Sequence, residues 1–224
     1  MKSIWSKFSH VAACAALFVA MALVSVGFAA DATKTSTNKL DCCAKEIAPT
    51  TPLSDRSLYQ LDSSWTNDAN ASLKLAALRG KLQVVSMFFA SCQFTCPVLV
   101  NDMRRIEAAL PENMRTNVGF VLVSFDTERD TPEALAAYRK IHGLPSNWTL
   151  LRGAPDDVLE FAALLGIKFK KDLRGQFAHS NVITVLDGDG EITRQIVGLN
   201  RDPSDSVKAI EQALFPKEKT TKTN

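Results

Sequence analysis

The chain has 224 residues, with 26 Lys and Arg against 24 Asp and Glu and a formal net charge of +2. This near balance argues against a nucleic-acid-binding protein, because such proteins need a basic face. About 194 residues remain when residues 1–30 are set aside, enough for one domain with a substantial core.

Residues 1–30 have the composition of an export leader. Lys2 and Lys7 precede an apolar run at 11–30, and small residues near its end suit a signal peptidase. Because the run is about 20 residues long, it could also span a bilayer as an uncleaved anchor. Both alternatives predict an exported, periplasmic protein, either soluble or anchored to the inner membrane.

Four cysteines follow the leader: Cys42, Cys43, Cys92 and Cys96. Exported proteins often use cysteines as structural disulfides. These four instead form an adjacent pair and a pair four positions apart, and the core is large enough to stand without them. We interpret them as functional. For Cys42 and Cys43 a second metal site, resolution of an oxidised Cys92–Cys96 pair, pairing with another molecule and a passive role all stay open.

The predicted organisation is a linker and irregular lead-in at 31–70, a folded domain at 71–215 and a disordered tail at 216–224. Within the domain, buried or alternating strands and amphipathic helices follow one another. Strands are predicted at 82–89, 118–125, 148–151, 181–186 and 191–197, and helices at 98–110, 132–142, 156–165 and 203–215.

Local signals support these boundaries. Thr131 and Pro132 are a helix cap and a first helical residue, and Gly143 ends that helix. The sequence Asp-Gly-Asp-Gly at 187–190 predicts a hairpin. Strands alternating with helices, followed by a hairpin and a last helix, predict an α/β fold: a thioredoxin-like sandwich with a central mixed sheet flanked by helices.

The segment Ser-Cys-Gln-Phe-Thr-Cys-Pro at 91–97 directly follows the buried strand 82–89. This order places both sulfurs at the carboxyl end of the strand, with Pro97 at the first position of the next helix. The positive end of that helix is expected to lower the pKa of Cys96. The chemistry is therefore either soft-metal binding or thiol–disulfide exchange.

His179 lies in a predicted loop before strand 181–186, where a thioredoxin-like sandwich would face it towards the cysteines. Two thiolates and one imidazole without an obvious fourth ligand suit Cu(I), although a zinc site completed by water and a purely structural histidine stay open. His142, at a helix end, is expected to be structural. Met87 and Met103 are expected in the core.

Three segments resemble, in order and spacing, the signatures of the Sco/SenC copper chaperones. They lie at 88–97, at 124–133 and at 178–180 ahead of the 187–190 hairpin, and the resemblance spans about 54–215. It implies a thioredoxin-like fold in which Cys92, Cys96 and His179 bind copper. The reduced site would hold Cu(I), and binding of Cu(II) stays open. It further implies delivery of copper to the dinuclear centre of a respiratory cytochrome c oxidase.

The resemblance also implies partners and one supporting residue. The expected partner is the copper-accepting subunit of the oxidase, and a thioredoxin-like reductant and another copper donor stay open as further partners. Asp126 would support the copper loop or partner docking, the alternative being a carboxylate that leads into a helix. Where the family has proline, an acid and a second acid, this chain has Gln93, Phe94 and Ala178, departures that bear on partner choice and redox tuning more than on metal binding.

The alternative function is an exported thiol–disulfide oxidoreductase that uses a redox-active Cys92–Cys96 disulfide on the oxidase copper subunit or other proteins. Oxidoreductases of this fold normally separate their thiols by two residues, whereas three separate Cys92 from Cys96. The usual proline near the partner loop is also missing, with His179 in its neighbourhood. We therefore expect a metallochaperone rather than an enzyme, with an auxiliary reductase activity open. A copper or redox sensor is a weaker third hypothesis.

Overall fold

A computed structural model describes residues 52–215. The leader, Cys42, Cys43 and the 216–224 tail lie outside the described residues, so the expectations for them stay predictions. In the part from 52 to 215, no helix is both long and apolar enough to cross a membrane.

Within residues 52–215, the strands form a central seven-stranded sheet and a separate two-stranded hairpin. The central order is β2-β1-β5-β4-β3-β8-β9, and the hairpin pairs β6 with β7. The strands are β1 (Trp65–Asn67), β2 (Ser72–Leu73), β3 (Leu82–Phe88), β4 (Val118–Ser124), β5 (Trp148–Arg152), β6 (Phe169–Lys171), β7 (Phe177–His179), β8 (Val182–Leu186) and β9 (Ile192–Val197). Strands β3, β4 and β5 are parallel and the others antiparallel, so the central sheet is mixed.

Helices cover this sheet. They are α1 (Thr95–Ala109), α2 (Glu112–Arg115), α3 (Pro132–His142), α4 (Pro155–Leu164) and α5 (Ser204–Leu214). Because α1 and α3 each connect neighbouring parallel strands by a crossover of the same hand, both lie on one face. Helix α5 contacts α1 and β9. The predicted thioredoxin-like α/β sandwich is confirmed.

The central strands and the helix ends form for the reasons the sequence indicated. Every residue of β3 is buried, and so is every residue of β4 except Gly119, as expected for parallel strands covered on both faces. At α3, the Thr131 hydroxyl accepts the Ala134 N–H, and Gly143 adopts a left-handed conformation with φ of 56°.

Short elements account for most of the differences from the sequence prediction, among them β2 and α2, which were not predicted. Two others bear on the packing and the site. Strand β1 lies in the segment predicted as irregular lead-in, and Trp65, fully buried, packs edge-on against Phe161 at 5.4 Å between ring centroids. The β6–β7 hairpin lies where no strand was predicted. Both were missed because their strands have only three residues each and lack an apolar run or an alternating pattern.

Candidate metal centre

Residues 89–94, which we call the cysteine turn, join β3 to α1 at the carboxyl edge of the sheet. The Cys92 N–H donates to the Phe89 carbonyl at 3.1 Å, and α1 begins at Thr95. Pro97 is therefore the third helical residue, not the first as predicted. Its missing N–H still falls within the first turn, where helical N–H groups have no intrahelical partner.

Cys92 is half-buried at the N-terminus of α1. Its Sγ accepts the N–H of Cys96 at 3.4 Å and lies 3.6 Å from the Thr95 hydroxyl. Burial by itself would raise the pKa of Cys92. The N–H groups of Cys96 and Phe94, together with the side chains of Cys96 and Thr95, outweigh burial and leave this pKa below its ordinary value.

Cys96 has the opposite environment. It is fully buried, and burial raises its pKa well above the ordinary thiol value, with the neighbouring Cys92 adding to the shift. The prediction that the helix N-terminus lowers the pKa of Cys96 is therefore wrong. The free N–H groups of the first turn serve Cys92, while the Cys96 side chain points into the core and keeps its proton at neutral pH.

His179 is the last residue of β7 rather than part of a loop. Its Nδ1 lies 3.0 Å from the Ser180 carbonyl oxygen, which can only accept, so Nδ1 carries the ring proton. Burial lowers the pKa of His179 and favours the neutral ring. The lone pair therefore stays on Nε2, which lies 3.8 Å from Cys96 Sγ. The structure brings His179 and Cys96 together, as the sequence predicted.

Aromatic rings enclose this contact. Phe125, which follows β4, lies 5.0 Å from the His179 ring, and Phe89, which follows β3, lies 6.4 Å from it. Phe177 of the hairpin packs on Phe89 at 5.1 Å. These residues were not predicted at the site, although Phe89 and Phe125 both end apolar strand patterns at the same sheet edge. Their apolar surfaces limit access of water to the histidine.

The three predicted ligands lie near one another but do not form a complete metal-binding arrangement. Among residues 52–215, no group of three or more His, Cys, Asp or Glu side chains already has a metal-holding arrangement. Cys96 and His179 are in contact, and the Cys92 side chain adjoins Cys96 while pointing towards the helix N-terminus. Both cysteines are free thiols.

Asp126 connects to the hairpin rather than to the cysteine turn. Its buried carboxylate accepts the Arg129 N–H at 3.3 Å and pairs with the Arg129 guanidinium. That guanidinium also donates to the Gly175 carbonyl, in the turn between β6 and β7. Asp126 thus acts through Arg129 on the element that ends in His179.

Asp130 supports the cysteine turn and was missed by sequence reasoning. Its Oδ2 accepts the Ala90 N–H at 2.9 Å and the Ser124 hydroxyl at 2.5 Å. Ala90 opens the segment that leads to Cys92. Burial raises the pKa of Asp130, with the two hydrogen bonds opposing that shift. The 124–133 segment contains Asp130 as well as Asp126, and only contacts distinguish their roles.

The other sulfur and imidazole side chains have structural positions. Met87 and Met103 are buried in the core, which confirms their prediction. His142 ends α3 with its ring 4.1 Å from Tyr138, and its carbonyl accepts a hydrogen bond from Arg104.

Two thiols and a histidine at the carboxyl edge of a thioredoxin-like sheet define a class of dithiol–histidine proteins. The family model described as SCO1/SenC matches residues 54–214. The chain belongs to the SCO1/SenC family.

Individual relatives agree with this assignment. A Stutzerimonas stutzeri protein, named as a copper-binding protein, is 26% identical over 146 residues, which are 63% of this chain and 70% of that protein. The structure of BsSco, described as a member of the Sco family of cytochrome c oxidase assembly proteins, has a TM-score of 0.62 at 22% identity and covers 75% of this chain and 100% of its own. Copper-bound ScoI of Bradyrhizobium japonicum has a TM-score of 0.58 at 20% identity, covering 67% and 96%.

Proposed function

We propose that this protein is a copper carrier in cytochrome c oxidase assembly, with Cys92, Cys96 and His179 as the copper ligands. The observation that carries the proposal is the Nε2 lone pair of His179, 3.8 Å from Cys96 Sγ. Family membership, a relative named for copper binding and the copper-bound ScoI support it. Copper is cargo here, and its destination would be the dinuclear centre of the oxidase.

The donor set suits Cu(I), because thiolates are soft ligands and imidazole accepts copper readily. The Ser180 carbonyl fixes the tautomer of His179 that leaves Nε2 free, as outer partners of metal-binding histidines commonly do. Loading requires Cys96 to lose its proton and Cys92 to turn from the helix N-terminus towards Cys96 and His179. Side-chain rotations of this kind are fast.

Release would begin at Cys92. Its side chain is half-buried, whereas Cys96 is fully buried. A thiolate of the accepting subunit can therefore replace Cys92 first, and the metal then passes from Cys96 and His179 by further ligand exchange.

We also propose that residues 1–30 export the domain, which fractionation of cells that express the full chain would test.

A competition titration against a Cu(I) chelator tests the ligand set. Loss of a residue that only orients a metal ligand usually lowers affinity about 10- to 100-fold, and His179→Ala is expected to lower copper affinity by at least that much because it removes a ligand. The matched control is His142→Ala, which removes the other described histidine and should leave copper affinity unchanged. Equal affinities for the wild type and His179→Ala would remove His179 from the site.

A second function is favoured by the unequal thiols. The Cys92 thiolate could attack a client disulfide, forming a mixed disulfide and releasing one client thiolate. Cys96 would then give up its proton and attack Cys92 Sγ, which forms the Cys92–Cys96 disulfide and releases the second client thiolate. An accessible thiol of lowered pKa followed by a buried partner is the arrangement this exchange needs.

Trapping separates the two functions. Under the oxidoreductase hypothesis, Cys96→Ser accumulates a mixed disulfide through Cys92, and His179→Ala exchanges as rapidly as the wild type. Slow exchange by the wild type, together with tight copper binding, would favour the carrier alone.

A further inference from the structure

A surface beside the metal centre combines basic and apolar side chains that are all exposed. We call it the hairpin surface and define it by Phe94, Lys168, Lys170, Leu173 and Arg174. Phe94 is 82% exposed, and Leu173, at the tip of the β6–β7 hairpin, is fully exposed. Single exposed apolar side chains are common on protein surfaces, so these two gain meaning only from their position beside the metal centre.

The hairpin concentrates positive charge. Residues 168–174 contain four basic side chains and one acid, whereas the whole chain has 26 basic and 24 acidic residues. Lys171 pairs with Glu128 at 2.7 Å, and the Asp172 carboxylate accepts the Arg174 and Gln176 N–H groups inside the turn. Lys168, Lys170 and Arg174 make no ion pair with any residue between 52 and 215. Their charge is free to act on a partner.

The position of this surface ties it to the metal centre. Phe94 lies between Cys92 and Cys96 in the sequence, and its N–H contacts the Cys92 sulfur. The hairpin ends in His179, and its tip stands roughly 10 Å beyond that residue at about 3.3 Å per strand residue. Phe94 and the hairpin are therefore the exposed segments that adjoin the proposed ligands Cys92 and His179 in the chain.

We propose that the hairpin surface docks the protein that exchanges copper at this site, and that this partner presents an acidic face with an apolar contact around its own metal site. The inference rests on the proposed function. Opposite charge would steer the encounter, and Leu173 and Phe94 would supply short-range burial. A protein fits better than a lipid surface, because the apolar part is two separate side chains at the mouth of the site rather than a continuous stripe.

Association rates test this surface. The probe is the soluble, copper-free domain of an oxidase copper subunit with acidic residues around its metal site. Reversing the charge at Lys168, Lys170 and Arg174 together to Glu should lower the association rate constant about tenfold or more at low salt and flatten its salt dependence. Leu173→Ser should speed dissociation. The matched control is Lys140→Glu combined with Ile141→Ser. These two residues are an exposed basic and apolar pair near the C-terminal end of α3, outside the hairpin surface.

Copper affinity, measured separately by chelator competition, should be the same in the wild type and all these variants. Association should be measured with metal-free and copper-loaded protein, so that the docking result does not depend on copper.

Unchanged association of the triple variant, or equal slowing by the control, would overturn the docking surface. Binding to phosphatidylcholine–phosphatidylglycerol vesicles that the triple variant loses, with acceptor association unchanged, would assign the surface to lipid instead. A wild type that binds no copper contradicts the proposed function, a readout separate from docking.

Discussion

Cys92 and Cys96 lie only four positions apart in the sequence, yet their pKa values shift in opposite directions. The N–H groups of the first turn of α1 reach Cys92, while Cys96 turns into the core beside His179. The sequence motif identifies both thiols, but it does not show which sulfur faces the helix N-terminus. That choice depends on where the helix starts, and sequence patterns locate helix ends least accurately.

Thiol alkylation should follow this asymmetry. Of the two thiols in the described residues 52–215 of the reduced, metal-free protein, iodoacetamide should modify Cys92 and leave Cys96 unmodified at neutral pH, because the lowered pKa of Cys92 gives more thiolate than an ordinary thiol has. The rate should rise with pH and level off above the pKa of Cys92, while Cys96 reacts only after unfolding. Peptide mapping by mass spectrometry measures both sites. Faster labelling of Cys96 than of Cys92 would contradict this assignment.

Asp130 is a second residue whose role depends on contacts. Asp130→Ala should lower the free energy of unfolding by about 2 kcal/mol, because it leaves the Ala90 N–H and the Ser124 hydroxyl without their acceptor. Asp130→Asn should cost less. Asparagine keeps an oxygen that can accept these hydrogen bonds. It also removes a carboxylate whose pKa is raised by burial in the folded protein, and ionisation of that carboxylate at neutral pH opposes folding.

Urea unfolding at neutral pH measures these differences. Glu160→Ala, on the exposed surface of α4, is the control and should change stability by less than about 0.5 kcal/mol. If Asp130→Ala were as stable as this control, Asp130 would not hold the cysteine turn.

At the scale of elements, the β6–β7 hairpin is held by the segment that follows β4. Arg129 joins the buried Asp126 to the Gly175 carbonyl, and Lys171 pairs with Glu128. Sequence patterns predicted the long strands, the four long helices and the 187–190 hairpin, because each has an apolar period or a turn signal. They missed β6 and β7, whose stability comes from these contacts and from aromatic packing on Phe125 rather than from a local pattern.

Arg129→Ala should loosen the hairpin. We expect faster amide hydrogen exchange at 177–179 and a copper affinity about tenfold lower, because His179 is then less well positioned. Arg56→Ala is the matched control. Arg56 also pairs with a carboxylate, that of Glu191, but neither residue belongs to the β6–β7 hairpin or to the segment that holds it. Normal exchange and normal copper affinity in Arg129→Ala would show that this contact does not position His179.

For the molecule as a whole, the sheet extends further than the sequence indicated. Strand β1 was not predicted because residues 31–70 are mostly polar. The stability of β1 depends instead on one tryptophan that packs between elements distant in the sequence. Trp65 pairs with Leu73, contacts Phe161 and fills the space beside Gly153, and none of these contacts is visible in a local window.

Trp65→Ala should therefore lower the free energy of unfolding by about 3–5 kcal/mol, the usual cost of removing a large buried ring. Truncation to residues 71–215 should be at least as destabilising. Thermal and urea unfolding test both changes. A truncated domain as stable as 52–215 would restore the boundary predicted from the sequence.

The sulfur-and-nitrogen copper site is tested most directly by X-ray absorption at the copper edge on reduced, copper-loaded protein. Two sulfur scatterers and one imidazole nitrogen are expected, with the nitrogen lost in His179→Ala and retained in His142→Ala. A spectrum with sulfur ligands alone, identical in the wild type and His179→Ala, would contradict the site that Cys92, Cys96 and His179 are proposed to form.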